Sequence, residues 1–237
     1  MKIKSATIIF SVFVLLFSSC KSDRVDAATY KAREKLVMLG NDFTDEGFIK
    51  AVKANKFDTV KLYLDSGMSP DTTSKIGTID VPAIFFALEK QSDIIVQMLI
   101  RTGTDLKKQT KGVTVLMKAV EKGNTATVAL VVEKGADVNQ SGENGLTPLM
   151  IAIEKQNMDA FWLLTKSGAD VNKSDISGIT PLMRAVRVGN VDMVRELLKK
   201  GANVNAESKN GLKIEKVITE KTREEMIILL KQAGLKI

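Results

Sequence analysis

The chain repeats itself at a period near 33 residues, which constrains its fold more than any other feature. One signal opens each unit, as in Gly145–Ala152 (GLTPLMIA), and another closes it, as in Gly168–Asn172 (GADVN). The small residue of the opening signal lies 16 positions before the closing glycine wherever both occur, for example from Ala152 to Gly168. A constant gap within variable spacing predicts a fixed structural unit joined by loops of differing length.

Each unit has the signals of two short helices. Thr147 and Thr180 are predicted N-caps, and each is followed by a proline at the first helical position, where no amide donor is required. Residues that tolerate left-handed backbone are expected to turn the chain between the helices, namely Gly123, Gly189, Asn55 and Asn157. Because one such pair cannot bury its apolar face, successive pairs must stack.

Together these motifs resemble the ankyrin repeat, over 43–237. The resemblance implies an all-α fold, an ankyrin-repeat solenoid of about six helix-turn-helix repeats with β-hairpin loops. The predicted repeats are 43–75, 79–110, 111–143, 144–176, 177–209 and a degenerate 210–237, in which Ile218 stands at the small position. The loop 68–81 is about three residues longer than its equivalents. A histidine of the family, which links loop to helix, is replaced here by Met117, Met150 and Met183, and by Phe86 in the second copy.

The first twenty residues have the pattern of a secretory signal. Lys2 and Lys4 precede an apolar run from Ile8 to Phe17, and small residues lead to Cys20. This end resembles a bacterial lipobox, which implies a signal peptide at 1–19 and lipidation of Cys20. Residues 20–42 are then expected to form a tether and a short helix, 30–40, that covers the first repeat.

Composition disfavours catalysis and several classes of ligand. The chain has no histidine and one cysteine, so the commonest general base and metal ligand are missing. No catalytic or metal-binding residues and no cofactor are predicted, and the chain is not expected to be an enzyme. Without Lys2 and Lys4, 33 basic and 28 acidic residues remain, interspersed along the chain, so nucleic-acid binding is not expected.

Candidate partner-binding residues follow from the resemblance, because the first helices of ankyrin repeats line a concave face. Four of six copies carry Glu-Lys at the two concave positions, including Glu154 and Lys155. This pattern fits either a solvated surface or a charge-striped groove for a complementary partner. The fifth copy breaks the pattern, which adds Arg187 and Val188, with Arg184 and Ile151 one turn away.

Trp162, the only tryptophan, stands at a second-helix position that is normally polar. It is either an interface anchor or a cover over neighbouring outer helices.

The function predicted from these features is a membrane-tethered protein–protein interaction module of the bacterial cell envelope, acting as a scaffold, inhibitor or regulator. The partner is an unknown protein, membrane contact is expected through lipid at Cys20, and the chain is expected to be a monomer. Two alternatives remain open: a host-facing surface adhesin, and an immunity-type protein that neutralises a toxin.

Overall fold

A row of helix pairs makes up the chain in a computed structural model that describes residues 26–122, 124–220 and 223–235. One helix, α1 (Ala27–Met38), precedes the repeats. Five complete pairs follow: α2 (Asp45–Lys53) with α3 (Phe57–Asp65), α4 (Ala83–Glu89) with α5 (Asp93–Arg101), α6 (Val115–Glu121) with α7 (Thr125–Glu133), α8 (Pro148–Glu154) with α9 (Met158–Lys166), and α10 (Pro181–Val188) with α11 (Val191–Lys199). The sixth copy has a 3-10 helix (Ile214–Val217) and α12 (Arg223–Gln232).

The predicted threonine caps begin the first helices. The hydroxyl of Thr147 accepts from the amide of Met150 at 3.3 Å, and that of Thr180 accepts from Met183 at 3.3 Å. Both prolines occupy the first turn, as expected. The turn prediction for Asn157 was wrong: Gln156 carries the left-handed backbone, with φ +52°, and Asn157 instead caps α9 by accepting from the amide of Ala160 at 3.1 Å.

The core lies between the two helix layers and continues from one repeat into the next. Ala152 in α8 and Ala185 in α10 are fully buried, and these two helices contact each other. The methionines at the family's histidine position are also buried, so apolar packing replaces the histidine's contacts there; these residues are Met117, Met150 and Met183. Assignment of Phe86 to that position was wrong.

Phe85 is the buried residue two positions before Ala87, the same offset that separates Met150 from Ala152. Phe86 is half-exposed, and the Lys53 ammonium lies 4.2 Å from its ring centroid. A one-residue error in register therefore exchanged a core position for one on the surface.

The connecting loops are held by hairpins and by asparagine bridges. The longer loop after the first pair contains an antiparallel hairpin of β1 (Thr73–Ile76) and β2 (Ile79–Pro82), whereas β3 (Gln109–Thr110) and β4 (Val113–Thr114) pair over two residues each. The Asn139 amide donates to the carbonyl oxygen of Gly168 at 3.1 Å and accepts from the Asp170 amide at 2.7 Å. Asn172 makes the same two contacts with the next copy. These hydrogen bonds thus hold the closing motif of one repeat at a fixed distance from the closing motif of the next.

The two ends of the row differ from the middle. Helix α1 packs on α3 through the buried Leu36, and the chain leaves it at Gly40 with φ +72°. In the sixth copy, Lys213 stands where Thr180 caps its helix and makes no side-chain cap. Without that cap the first helix is reduced to a single 3-10 turn, and Ile218 follows it with extended backbone.

Candidate functional site

The first helices place equivalent residues of successive repeats in columns along one face. One column contains Phe86, Lys118, Ile151 and Arg184, and the adjacent column contains Glu89, Glu121, Glu154 and Arg187. Helices α4, α6, α8 and α10 contact one another in that order, so neighbouring members of a column belong to helices in contact. We call this surface the concave face.

A closed ion cluster joins the second and third repeats on the concave face. Glu89 contacts the ammonium groups of Lys118 at 2.6 Å and Lys122 at 2.7 Å, and Lys118 also contacts Glu121 at 3.1 Å. Hydrogen bonds from Lys118 and Lys122 lower the pKa of Glu89 to about 2. Burial opposes a charge on Lys118, but its bonds to Glu89 and Glu121 outweigh burial and raise the pKa of this ammonium. Two acids and two bases make this cluster neutral.

A second ion cluster joins the fourth and fifth repeats. The Arg184 guanidinium contacts the carboxylates of Glu154 and Asp175, and Arg187 contacts Glu154 at 3.5 Å. Burial, and then the charge of Arg187, lower the pKa of the Arg184 guanidinium. Arginine side chains nevertheless stay charged in proteins at neutral pH. This cluster also contains two acids and two bases.

Arg184 was predicted to contact a partner, but the structure buries it. Only 7% of the residue is exposed, and its guanidinium is enclosed by Glu154 and Asp175. Asp175 lies in the hairpin loop before α10 and also accepts from the amides of Ser177 at 2.8 Å and Ile179 at 3.0 Å. Arg184 therefore links loop to helix, the role that the resemblance assigns to the missing histidine.

Between the two ion clusters lies a pocket of about 330 Å³. The pocket lies where Ile151 occupies the column position from which Lys118 and Arg184, in their own repeats, make ion pairs to the preceding repeat. An isoleucine cannot bridge to Glu121, so the surface stays open at this junction. The pocket is lined by Lys111, Gly112, Val113, Met117, Glu121, Glu143, Asn144, Leu146, Ile151, Glu154 and Lys155.

The structure brings together three of the predicted binding residues, Ile151, Glu154 and Lys155, in this pocket. Arg187 lies beside them because it contacts Glu154. The half-buried Val188 stands in the fifth repeat at the position that Lys155 occupies in the fourth. Their binding role remains a prediction.

Trp162 lies apart from the pocket, on α9. It is half-buried against the core, with its ring edge-to-face with Phe161 at 5.5 Å.

Sequence reasoning missed the hairpin side of the pocket, which contributes Lys111, Val113, Glu143 and Leu146. The useful signal was present in the column itself, where the apolar Ile151 stands between the basic Lys118 and Arg184. Loop residues could not be assigned to the pocket, because their approach depends on how the hairpins fold over the first helices.

Two kinds of site were not found in the described part of the chain. None of its helices is both long enough and apolar enough to cross a bilayer. Across 26–122, 124–220 and 223–235, no group of three or more His, Cys, Asp or Glu side chains is arranged to hold a metal ion. Cys20 and the predicted signal lie outside these residues.

Comparison with known proteins agrees with the architecture. A family model described as Ankyrin repeats (3 copies) matches 48–142 and 139–208. A protein of Treponema pallidum (strain Nichols), named for ankyrin repeats, is 32% identical over 116 residues, which are 48% of this chain and 38% of that protein. The chain therefore spans well under half of that relative. The all-α repeat solenoid is confirmed, and this chain belongs to the ankyrin-repeat family, whose fold is a protein–protein interaction module.

Proposed function

We propose that this chain is a protein-binding module of a bacterial cell envelope, held at a membrane by lipid on Cys20, and that the concave face binds its partner. The observation that carries the binding site is the pocket at Ile151, where the ion pairs that close the neighbouring junctions are missing. This pocket combines apolar side chains, such as Ile151 and Leu146, with charged ones, such as Lys155, and pockets at protein interfaces receive anchoring side chains of the partner.

The sequence before the first helix supports the tether. The basic start, the apolar run and the small residues before Cys20 are typical of an exported lipoprotein. Helix α1 begins at Ala27, only seven positions after Cys20, so an acylated chain would hold the repeats close to the bilayer. Each buried methylene of an acyl chain contributes about 0.8 kcal/mol, and two or more chains give stable anchoring.

Capture from solubilised native envelopes tests the binding role. An Ile151→Lys variant places an ammonium where Lys118 and Arg184 already fit, between Glu121 and Glu154, and is expected to close the pocket without unfolding the repeat. Ile94→Lys makes the same change at a residue that is 61% exposed on a second helix. We expect a partner captured by the wild type and Ile94→Lys to be lost with Ile151→Lys. Equal recovery by all three would reject the pocket as the binding site.

Fatty-acid labelling tests the tether independently. Cells given an alkyne-bearing fatty acid should label the wild-type chain and not a Cys20→Ala variant, and only the wild type should sediment with membranes. Labelling of both forms, or of neither, would contradict lipidation at Cys20. Proteolysis of intact cells then distinguishes a periplasmic module from a surface adhesin, because only the adhesin is cut.

A further inference from the structure

We propose that the pocket at Ile151 receives a large apolar side chain of the partner, and that a carboxylate of the same partner segment pairs with Lys155. This inference rests on the proposed protein-binding function and specifies the chemistry of its ligand. The occupant is a short extended segment of another protein, with the acidic residue two positions from the apolar one.

The floor of the pocket is apolar. Val113, Leu146 and Ile151 are each half-buried, and Met117 beneath them is buried. Val113 lies in the hairpin before α6, Met117 in α6, Leu146 in the loop just before α8, and Ile151 in α8. Partly exposed apolar side chains that converge on one cavity gain free energy when a ligand covers them. A polar side chain would leave that surface uncompensated, so an aliphatic or aromatic side chain fits best.

The charges around the floor are unequal once the internal ion pairs are counted. The cluster at Glu89 and the cluster at Arg184 are each neutral, so Glu121 and Glu154 are already compensated. Lys155 differs, because it makes no ion pair with any residue of 26–122, 124–220 or 223–235. Its counterpart Lys122 is bound by Glu89, whereas the carboxylate available to Lys155, that of Glu121, is engaged by Lys118.

The remaining charged residues of the lining, Lys111 and Glu143, are exposed at the hairpin tips and have opposite signs. Along the helix side of the pocket the uncompensated charge is therefore positive and lies on Lys155. A partner carboxylate is the complementary group, and a partner lysine or arginine would be repelled.

Helix geometry fixes the spacing of the two groups. Lys155 is the C-cap residue of α8, four positions after Ile151, and its amide donates to the Ile151 carbonyl oxygen at 2.9 Å. The Cβ atoms of the two residues therefore lie about 5–6 Å from each other on the same face. An extended segment advances about 3.3 Å per residue, and residues two apart point to the same side. The partner is thus expected to present an apolar residue with Asp or Glu two positions away.

Selection of random ten-residue peptides displayed on phage tests this assignment with the full-length chain in detergent. We expect enriched peptides to carry Leu, Ile, Met, Phe or Trp with an acidic residue two positions away. Affinity, measured by fluorescence anisotropy, should fall about tenfold or more with Ile151→Lys. It should stay unchanged with Ile94→Lys.

A charge exchange tests the second half of the proposal. Lys155→Gln should weaken binding by about fivefold or less, and the difference should shrink at high salt, because an exposed ion pair contributes at most about 1 kcal/mol. Lys155→Glu should weaken it further, and a peptide whose acidic residue is changed to lysine should recover affinity for this variant alone.

The outcomes separate this inference from the wider function. Peptides that bind with no acidic preference, or that tolerate Ile151→Lys, would overturn the assignment while leaving a protein-binding module in place. Enrichment of basic peptides would overturn it in the same way. Failure to enrich any peptide, together with capture of a partner that Ile151→Lys does not disturb, would reject the pocket and leave the tethered binding function to another surface.

Discussion

Replacing Arg184 with methionine should destabilise the fifth repeat, because it removes the cation that Asp175 and Glu154 share. Methionine keeps much of the side-chain length and fills irregular space well, so the change isolates the charge from the packing. The perturbation therefore tests whether an arginine has replaced the loop-to-helix link that the family makes with histidine.

The magnitude follows from what each carboxylate retains. Asp175 has a side chain only 9% exposed, but it keeps the amides of Ser177 and Ile179. Glu154 is 33% exposed and keeps Arg187. Breaking a buried ion pair costs about 3–5 kcal/mol when one charge is left without compensation. Because both acids retain other donors or water, we expect a loss of about 2–3 kcal/mol in the free energy of unfolding.

A double-mutant cycle with Asp175→Asn provides the measurement. Asparagine keeps an oxygen for the two loop amides and removes the charge, so Arg184→Met should cost less in its presence, by about 1.5–2 kcal/mol. Urea unfolding followed by circular dichroism and by Trp162 emission gives each free energy, and superimposable curves establish two-state behaviour. Additive losses, or an Arg184→Met cost below about 0.5 kcal/mol, would refute a linking role for this guanidinium.

Three further predictions concern the loops, the ion clusters and the tryptophan. Gly178→Ala should cost about 2–4 kcal/mol, since φ is +80° and a Cβ would lie 2.8 Å from the amide nitrogen of Lys209. Gly201→Ala, with φ +84° and no atom within 4 Å of a Cβ, should cost about 1 kcal/mol, and equal losses in urea unfolding would contradict the loop contact. The pKa of Glu89 in the folded chain is about 2, below the ordinary value of 4.5. The stability that its charge contributes is therefore present above pH 4.5 and is lost as the pH falls towards 2. That side chain is 54% exposed, so solvent screening limits its effect on the free energy of unfolding to under about 1 kcal/mol. In the Glu89→Gln variant the free energy of unfolding should depend less on pH in this window, and an unchanged pH dependence would contradict a stabilising role for these ion pairs. The fluorescence emission maximum of Trp162 should lie between those of a buried and a fully hydrated indole, and acrylamide should quench the emission only in part. Full quenching would contradict its half-buried position.

The fold was predictable because the same local signals, helix caps and closing glycines, recur in successive repeats of the chain. Thr147 and Thr180 cap helices, and the closing glycines Gly135, Gly168 and Gly201 all adopt positive φ at equivalent helix ends. Repetition turns weak single signals into a strong one, since a chance cap would not recur in phase. Errors arose where a unit departs from that phase, as when Phe86 was placed one position late and Asn157 was taken for the turn rather than the cap.

The candidate site was predictable only in part, because it depends on contacts between repeats. The sequence placed Ile151, Glu154 and Lys155 on one helix face, and these residues do line the pocket. It could not show that Arg184 is buried, since burial depends on Asp175 in a loop nine positions earlier. Charge patterning along single helices indicated stripes, whereas the side chains pair between repeats and neutralise most of them.

Specificity in such a row of repeats has to come from residues that break the pattern. Where Lys118 and Arg184 bridge to the preceding repeat, the concave face is closed by its own ion pairs and offers a partner little that is uncompensated. Replacement of that bridging residue by Ile151 removes the cross-repeat pair, exposes an apolar floor and leaves Lys155 without a carboxylate in the described residues. One substitution therefore creates both the apolar and the electrostatic half of a recognition site. The same reasoning requires that restoring a basic residue at position 151 close the site and leave the fold intact, since the neighbouring repeats already show that such a residue fits.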